Sequence, residues 1–149
     1  MIALKRTNSD DADFRALVVL LDAVLRERDG DEHAFYNQFN KVDAIQHVVV
    51  AYENGIPVGC GAIKKYSSKI TEVKRMFVHD DYRRKGIAQK VLSELEKWAA
   101  ELEFTSCILE TGKKQPEAIT LYLKCSYTII PNYGQYIGVE NSVCMEKVL

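Results

Sequence analysis

The hydrophobic residues of this chain recur with helical spacing in some stretches and with strand-like spacing in others. After a short strand near residues 2–6, apolar residues return every three or four positions, which predicts a helix that ends near Gly30. The members of this first stripe are Phe14, Leu17, Val18, Leu21, Val24 and Leu25. Asn8-Ser9-Asp10-Asp11 can cap the start of this helix, and a second short helix is expected from His33 to Phe39.

β-branched and aromatic residues then predict three strands joined by tight turns. The first strand covers residues 48–52, and Asn54-Gly55 after it is the strongest short signal for a hairpin. The second strand runs from Pro57 to about Tyr66, and the third runs from Thr71 to Val78. Short turns between successive strands favour an antiparallel meander.

A strongly amphipathic helix is predicted from about Gly86 to Leu102. Its apolar stripe consists of Ile87, Val91, Leu92, Leu95, Trp98, Ala99 and Leu102. Beyond it we expect a strand at 106–110, a helix at about Pro116–Lys124 and strands at 127–130 and 142–147. This order of strands and helices predicts an α/β fold.

Length and composition are those of one ordinary globular domain, here residues 1–149. Hydrophobic residues make up 47% of the chain and the formal net charge is −1, so the composition does not favour nucleic acid as a partner. No apolar run of about 18 residues is present, and the N-terminus lacks the apolar core of a signal peptide. We therefore expect a cytoplasmic protein that does not associate with a membrane. The four cysteines lack Cys-x-x-Cys spacing, which favours reduced core residues.

The stretch between the third strand and the amphipathic helix carries the clearest chemical signal. Arg83, Arg84 and Lys85 precede Gly86 at a helix start, where unpaired backbone N–H groups attract anions. Gly86 lets the backbone approach a ligand closely because it has no Cβ atom. These residues indicate a phosphate or pyrophosphate site, although a basic turn exposed to solvent would have the same composition. The Gly-x-Gly-x-x-Gly and Gly-x-x-x-x-Gly-Lys-Ser/Thr motifs are both absent.

Two segments resemble signatures of the GNAT superfamily of N-acetyltransferases. Arg83-Arg84-Lys85-Gly86-Ile87-Ala88 is similar to Arg/Gln-x-x-Gly-x-Gly/Ala. Residues 115–127 are similar to Asn-x-x-Ala-x-x-Leu-Tyr-x-x-x-Gly-Phe/Tyr, with Gln115 at the usual Asn and Ser126 at the usual Gly. The resemblance covers nearly the whole chain, and the replacement at Ser126 predicts a tight or strained turn.

The resemblance implies a mixed, mostly antiparallel central sheet flanked by helices, with a splayed strand pair that receives acetyl-CoA as co-substrate. The basic loop would hold the pyrophosphate, and the strand edge would pair with the pantetheine arm. The implied cofactor-binding residues are Met76, Phe77, Val78, Arg83, Arg84, Lys85, Gly86, Ile87, Ala88, Gln89 and Gln115. A backbone N–H near Phe77 or Val78 would stabilise the oxyanion, and no metal is implied.

Acetyl transfer from a thioester to an amine calls for a proton donor at the leaving sulfur and a base for the amine. The resemblance implies that Tyr122 is the acid, although a core aromatic residue would fit the same position. Glu72 is a candidate base that should face the same side of its strand as Val78, unless it pairs with a neighbouring cation, Lys74 or Arg75. Glu110 is the rival base, or it orients substrate or caps the residues after it. His79 and water are further options.

The acceptor side is expected in the loop that joins the last strands. Tyr133 and Tyr136 lie there among glycines, and tyrosine offers both an apolar face and a hydroxyl to an amine-bearing ligand. An ordinary turn with its tyrosines packed on the sheet edge is the alternative. The acceptor would be a small-molecule or peptide amine, and the sequence leaves open whether the chain forms a homodimer. A non-catalytic acyl-CoA-binding or sensory module is the alternative function.

Overall fold

A computed structural model describes residues 1–32 and 44–149, so the helix predicted from His33 to Phe39 lies outside the described residues. Ten elements follow one another in the described ranges, apart from short 3-10 turns. They are β1 (Ile2–Thr7), α1 (Ala12–Asp29), β2 (His47–Glu53), β3 (Ile56–Lys65), β4 (Ile70–Val78), α2 (Ile87–Glu101), β5 (Ser106–Gly112), α3 (Pro116–Lys124), β6 (Thr128–Ile130) and β7 (Ser142–Val148).

The seven strands form one sheet in the order β1-β2-β3-β4-β5-β7-β6. Every neighbouring pair is antiparallel except β4 and β5, which are parallel. The mixed, mostly antiparallel α/β fold is therefore confirmed. The parallel pairing joins only Ile70–Glu72 to Ser106–Ile108, and beyond these residues the two strands diverge, which confirms the splayed pair.

The residues that the sequence analysis placed at helix caps and turns take those positions in the structure. The Asp11 side chain accepts a hydrogen bond from the Phe14 N–H and caps α1. Asn54 and Gly55 have φ angles of 52° and 84°, as a two-residue hairpin turn with two left-handed positions requires. Ser126 has a φ of 75° between α3 and β6, so the strain that its replacement of glycine predicted is present.

Helices cover both faces of the sheet. Helix α1 packs on one face through a core that includes Phe14, Val48 and Phe77. Helix α2 packs on the other face, where β3 carries Gly61; a Cβ atom there would lie 2.9 Å from Leu95 Cδ1. The glycine is therefore needed for the close approach of α2 to the sheet.

A β-bulge at Arg75 separates the two ends of β4. Cys60 pairs with Phe77 and Ala62 pairs with Lys74, so Arg75 and Met76 together oppose Gly61. Arg75 adopts a left-handed φ of 59°. The extra residue reverses the alternation of side chains along the strand.

The bulge overturns one expectation about β4. Glu72 pairs with Lys64 on β3, so the two side chains lie on the same face of the sheet. Ala62, two residues before Lys64, lies on that face and packs beneath α1. Val78 pairs with Gly59 and packs with the core beneath α2. The prediction that Glu72 and Val78 face the same side is therefore wrong, because it assumed an unbroken strand.

Candidate active site

Two adjoining cavities occupy the gap between the diverging strands. The long groove, about 610 Å³ in volume, runs from β4 past the basic loop to α3. The inner pocket, about 110 Å³, lies where β4 and β5 separate beneath the C-terminal half of α1. Both cavities share five lining residues, which are Leu21, Met76, Gln115, Ala118 and Tyr122. A ligand in the groove and a second molecule in the pocket would therefore meet beside Tyr122.

The start of α2 presents backbone donors to the long groove. Gly86 precedes the helix with a φ of 75°, a conformation that L side chains rarely adopt. The first hydrogen bond of the helix runs from the Lys90 N–H to the Gly86 carbonyl, with a length of 3.1 Å. The N–H groups of Ile87, Ala88 and Gln89 precede that bond, and all three residues line the groove.

The predicted cofactor-binding residues line the long groove with one exception, Lys85. Its ammonium lies 3.3 Å from a Glu53 carboxylate oxygen and over the Tyr82 ring. Arg83 lines the groove while its Nε–H donates to the Val78 carbonyl at 3.2 Å. Arg84 also lines the groove, so two of the three cations stand at the predicted anion site.

The free edge of β4 faces the groove beyond the splay. The His79 N–H donates to the Val58 carbonyl at 2.8 Å, and Phe77 pairs with Cys60, so these positions are directed to β3. The polar groups of successive strand residues alternate in direction. The Val78 N–H therefore points away from β3, and of the two predicted oxyanion donors Val78 has the suitable orientation.

Tyr122 stands at the junction of the two cavities. It is buried on α3, and its ring makes an edge contact with Tyr127 at a centroid distance of 5.8 Å. Burial raises the pKa of its phenol well above the ordinary value of 10, and the nearby Cys125 and Glu110 add to the rise. The hydroxyl therefore keeps its proton at neutral pH and can donate it in a hydrogen bond.

The two candidate bases have different surroundings. Glu72 is buried, its Oε2 accepts a 2.5 Å hydrogen bond from the Tyr133 hydroxyl, and its Oε1 lies 3.6 Å from Lys74 Nζ. The predicted alternative of pairing with Lys74 is thus present, whereas Arg75 pairs with Asp22 at 2.7 Å.

Glu110 lines the inner pocket from β5. Burial raises the pKa of its carboxyl to about 7, and the charges of Asp29 and Glu72 also raise it. A hydrogen bond from Ser142 and the charge of Lys74 lower this pKa by less than burial raises it. Its Oε2 has no hydrogen-bond partner among the described residues. A carboxyl of this kind can accept a proton at neutral pH.

The two tyrosines of the late loop have different positions. Tyr136 is 1% exposed and lines the inner pocket. Tyr133 does not line the pocket but holds the Glu72 carboxylate that does. His79 lies outside both linings, and its Nδ1 accepts a hydrogen bond from the Asp81 N–H at 3.2 Å.

Sequence reasoning missed several residues of the inner pocket. Arg75 enters the lining from the bulge, and Asp29 and Leu25 enter it from the end of α1. The bulge had no sequence signal, and α1 carried only the signal of an ordinary core helix. Their placement depends on the tertiary packing of α1 over the splay.

Two further observations concern membranes and metals. No helix in the described part of the chain has the length and apolar composition that crossing a membrane requires. Residues 1–32 and 44–149 hold no group of three or more His, Cys, Asp or Glu side chains arranged to bind a metal ion.

Comparisons with known proteins agree with this geometry. An IAA acetyltransferase from Azospirillum brasilense is 36% identical over 102 residues, which are 68% of this chain and 67% of that protein. A crystal structure described as an acyl-CoA N-acyltransferase, from Klebsiella pneumoniae, superposes with a TM-score of 0.83 at 29% identity, over 100% of this chain and 98% of that one. A GNAT acetyltransferase from Elizabethkingia anophelis with acetyl-CoA bound has the same fold, with a TM-score of 0.71 at 16% identity over 99% and 98% of the two chains.

The family model of the acetyltransferase (GNAT) family matches residues 14–127. The match includes α1, the splayed strands, the basic loop and α3. It confirms the resemblance that the two sequence signatures suggested. The chain therefore belongs to the GNAT family of N-acetyltransferase enzymes.

Proposed function

We propose that this enzyme transfers the acetyl group of acetyl-CoA directly to the amine of an acceptor held in the inner pocket. The observation that carries the proposal is the meeting of the long groove and the inner pocket at Tyr122, with Glu110 in the pocket lining. The relative from Elizabethkingia anophelis holds acetyl-CoA on the same fold. The groove here offers the elements that such a ligand needs.

The long groove would hold acetyl-CoA in an extended conformation. The N–H groups at the start of α2, beside Arg83 and Arg84, would bind the pyrophosphate. The pantetheine arm would pair with the free edge of β4 at Met76–Val78 as an added strand. Gln115, which lines both cavities, would lie near the thioester end.

The reacting groups would then be arranged around the thioester carbonyl. The acceptor nitrogen attacks the carbonyl carbon, a C–N bond forms and the C–S bond breaks. Glu110 takes the proton that the amine loses, the Val78 N–H stabilises the charge on the carbonyl oxygen, and the Tyr122 hydroxyl donates to the departing sulfur. The products are the acetylated amine and CoA.

We assign the base to Glu110 rather than Glu72 on the partners of each carboxyl. The Glu72 carboxylate already has two partners, the Tyr133 hydroxyl and the Lys74 ammonium, whereas Glu110 Oε2 has none among the described residues. Burial instead raises the pKa of Glu110 to about 7, which suits a group that must gain and lose a proton at neutral pH. Glu72 would then position the acceptor.

The test combines a binding measurement with a turnover measurement. Purified protein is titrated with acetyl-CoA by calorimetry and then incubated with a panel of amines, while free thiol is followed and products are identified by mass. We expect binding, thiol release that depends on an amine, and a product heavier by one acetyl group. Binding without transfer to any amine would favour the non-catalytic acyl-CoA-binding module.

A further inference from the structure

Arg75 is a buried cation that the proposed reaction does not use. Its side chain is 3% exposed, although it lines the inner pocket. It occupies the bulge with a left-handed φ of 59°, a conformation that is costly for a residue with a Cβ atom. The bulge therefore carries local backbone strain at the residue whose guanidinium lines the pocket.

The hydrogen bonds of this guanidinium are incomplete. Its Nη1 donates to Asp22 Oδ1 at 2.7 Å. Its Nε is buried and has no acceptor within residues 1–32 and 44–149. A buried donor without an acceptor is destabilising, whereas a carboxylate can accept hydrogen bonds from a guanidinium in a planar arrangement. Arg75 therefore brings a cationic group with one unused donor to the lining of the inner pocket.

Groups of both charges line the inner pocket. Glu72, Glu110 and Asp29 are acidic, and Lys74 and Arg75 are basic. The Lys74 ammonium lies 3.6 Å from Glu72 and the Arg75 guanidinium 2.7 Å from Asp22, so each cation has a carboxylate beside it. An acceptor with one amine and one carboxylate matches both signs.

The volume of the inner pocket limits the size of the acceptor that it can hold. A pocket of about 110 Å³ holds roughly seven to eleven non-hydrogen atoms, if each takes the ~10–15 Å³ that one water needs. Glu110 and Arg75 both line this pocket, so one small molecule in it shares a cavity with both side chains. An α-amino acid has this size and carries both an amine and a carboxylate.

We propose that the acceptor of this enzyme is a small amino acid, and that Arg75 binds its carboxylate while its amine faces Glu110. The proposal rests on the acetyltransferase function proposed above. It makes Arg75 a specificity residue in contact with the acceptor, and it assigns the bulge a purpose, namely to direct this side chain beneath α1.

The first experiment compares matched acceptors on the unaltered enzyme. Each set contains an amino acid, its primary amide and the amine that remains after decarboxylation, and kcat/KM is measured across pH so that equal concentrations of free amine are compared. A charge-assisted hydrogen bond predicts a preference of roughly 10- to 100-fold for the amino acid. Equal or better use of the amide and the decarboxylated amine would overturn the proposal.

The second experiment changes the guanidinium and uses a distant arginine as control. Arg75→Gln should raise the KM for the amino acid at least about tenfold, leave the KM for the amide nearly unchanged and so remove the preference. Arg6→Gln removes an arginine that pairs with Glu94 and Glu101 far from the pocket, and it should keep the preference. A purely structural role of Arg75 predicts equal loss for amino acid and amide, and that result would overturn the proposal.

The two proposals can fail separately. If Arg75→Gln does not fold, the acceptor comparison on the unaltered enzyme still decides the question. Transfer to amines without any preference for a carboxylate would overturn the acceptor proposal and leave the acetyltransferase function intact. The absence of transfer to every amine, with acetyl-CoA bound, would overturn both.

Discussion

The Tyr133 hydroxyl donates a hydrogen bond of 2.5 Å to Glu72, a residue 61 positions earlier in the chain. The contact joins the late loop to β4 at the point where β4 and β5 separate. It also changes how the loop contributes to the site. Tyr136 supplies pocket surface, whereas Tyr133 fixes the orientation of a carboxylate.

Loss of the Tyr133 hydroxyl should affect the acceptor and not the cofactor. In Tyr133→Phe the Glu72 carboxylate loses its shortest partner, so the acceptor KM should rise about tenfold, the equivalent of one hydrogen bond to a charged group. The acetyl-CoA KM should stay nearly constant. Tyr66→Phe is the matched control, because it removes a hydroxyl from a neighbouring, partly exposed tyrosine. The centroid of the Tyr66 ring lies 5.3 Å from that of the Tyr133 ring. Equal kinetics in Tyr133→Phe and the unaltered enzyme would contradict the role of Tyr133.

The proposed base predicts a dependence of rate on pH. Glu110 must be ionised to accept the amine proton, and burial raises the pKa of this carboxyl to about 7. The rate should therefore rise with pH through an apparent pKa near 7, once the ionisation of the amine is accounted for. Glu110→Gln should lower kcat by roughly 10²- to 10⁴-fold and remove this limb of the profile. An unchanged profile in that variant would return the role of base to Glu72 or water.

The Glu110 carboxyl also predicts that stability falls with rising pH, whereas the rate rises. Its folded pKa of about 7 exceeds the ordinary value of 4.5 for a glutamate carboxyl, so the folded state binds the proton more tightly than the unfolded state. The free energy of unfolding should therefore fall as pH rises from about 4.5 to about 7. Above that range Glu110→Gln should be more stable than the unaltered enzyme by roughly 3 kcal/mol, because each unit of pKa difference corresponds to about 1.4 kcal/mol. Urea unfolding of both proteins at pH 5 and pH 8 measures this difference. The same difference in the free energy of unfolding at both pH values would contradict the raised pKa.

Tyr122 is expected to act through its hydroxyl alone. Tyr122→Phe keeps the ring and its packing, so acetyl-CoA affinity should hold while kcat falls by roughly 10²- to 10⁴-fold. Tyr127→Phe is the control, because it removes a buried hydroxyl that bonds to Glu96 at 2.9 Å and belongs to neither cavity lining. A similar kcat for both variants would assign Tyr122 to the core only.

The left-handed glycine before α2 should be required for cofactor binding. Gly86→Val forces a β-branched residue to a φ of 75°. The N–H groups at the start of α2 should then be displaced, and the loss of one hydrogen bond to the pyrophosphate should weaken acetyl-CoA binding at least about tenfold. Gly55→Val imposes similar strain at a φ of 84° in a distant hairpin. Calorimetry should show reduced affinity for the first variant only. A reduction of equal size in both would mean that general destabilisation is the cause.

Ser126 offers a gain in stability outside the site. Its φ of 75° suits glycine, so Ser126→Gly should raise the free energy of unfolding by about 1 kcal/mol in urea titrations. Asn54→Gly is the comparison, since asparagine tolerates the left-handed region and its φ of 52° should yield a smaller gain. A larger gain at Asn54 than at Ser126 would contradict this reasoning.

Much of the fold could be predicted from local patterns. Helix α3 has the predicted bounds, Pro116–Lys124, because a proline at its start and apolar spacing within it act over short distances. The Asn54-Gly55 hairpin was predictable for the same reason. The splay of β4 and β5 came only from the resemblance, because strand divergence has no local signature.

The site was less predictable where it depends on pairing and packing. The bulge at Arg75 arises from the pairing of β4 with Gly61 on β3, which no pattern within β4 indicates. It reversed the faces of Glu72 and Val78. Lys85 belongs to the basic motif, but its ammonium pairs with Glu53, at the end of β2. Charge alone therefore could not tell which cation lines the groove.

The short ladder between β4 and β5 also has a mechanical consequence. The ladder that joins β1–β4 to β5–β7 has three residue pairs, and the Thr105 and Ser106 N–H groups add bonds to the Lys69 carbonyl at its end. An extended ligand in the gap would add hydrogen bonds along the unpaired β4 edge, so the ligand itself would act as a missing strand. Amide hydrogens of Val73–Val78 should then exchange with solvent more slowly when CoA is bound. The ligand would thereby extend the pairing between the two parts of the sheet along the stretch where the strands of the protein have separated.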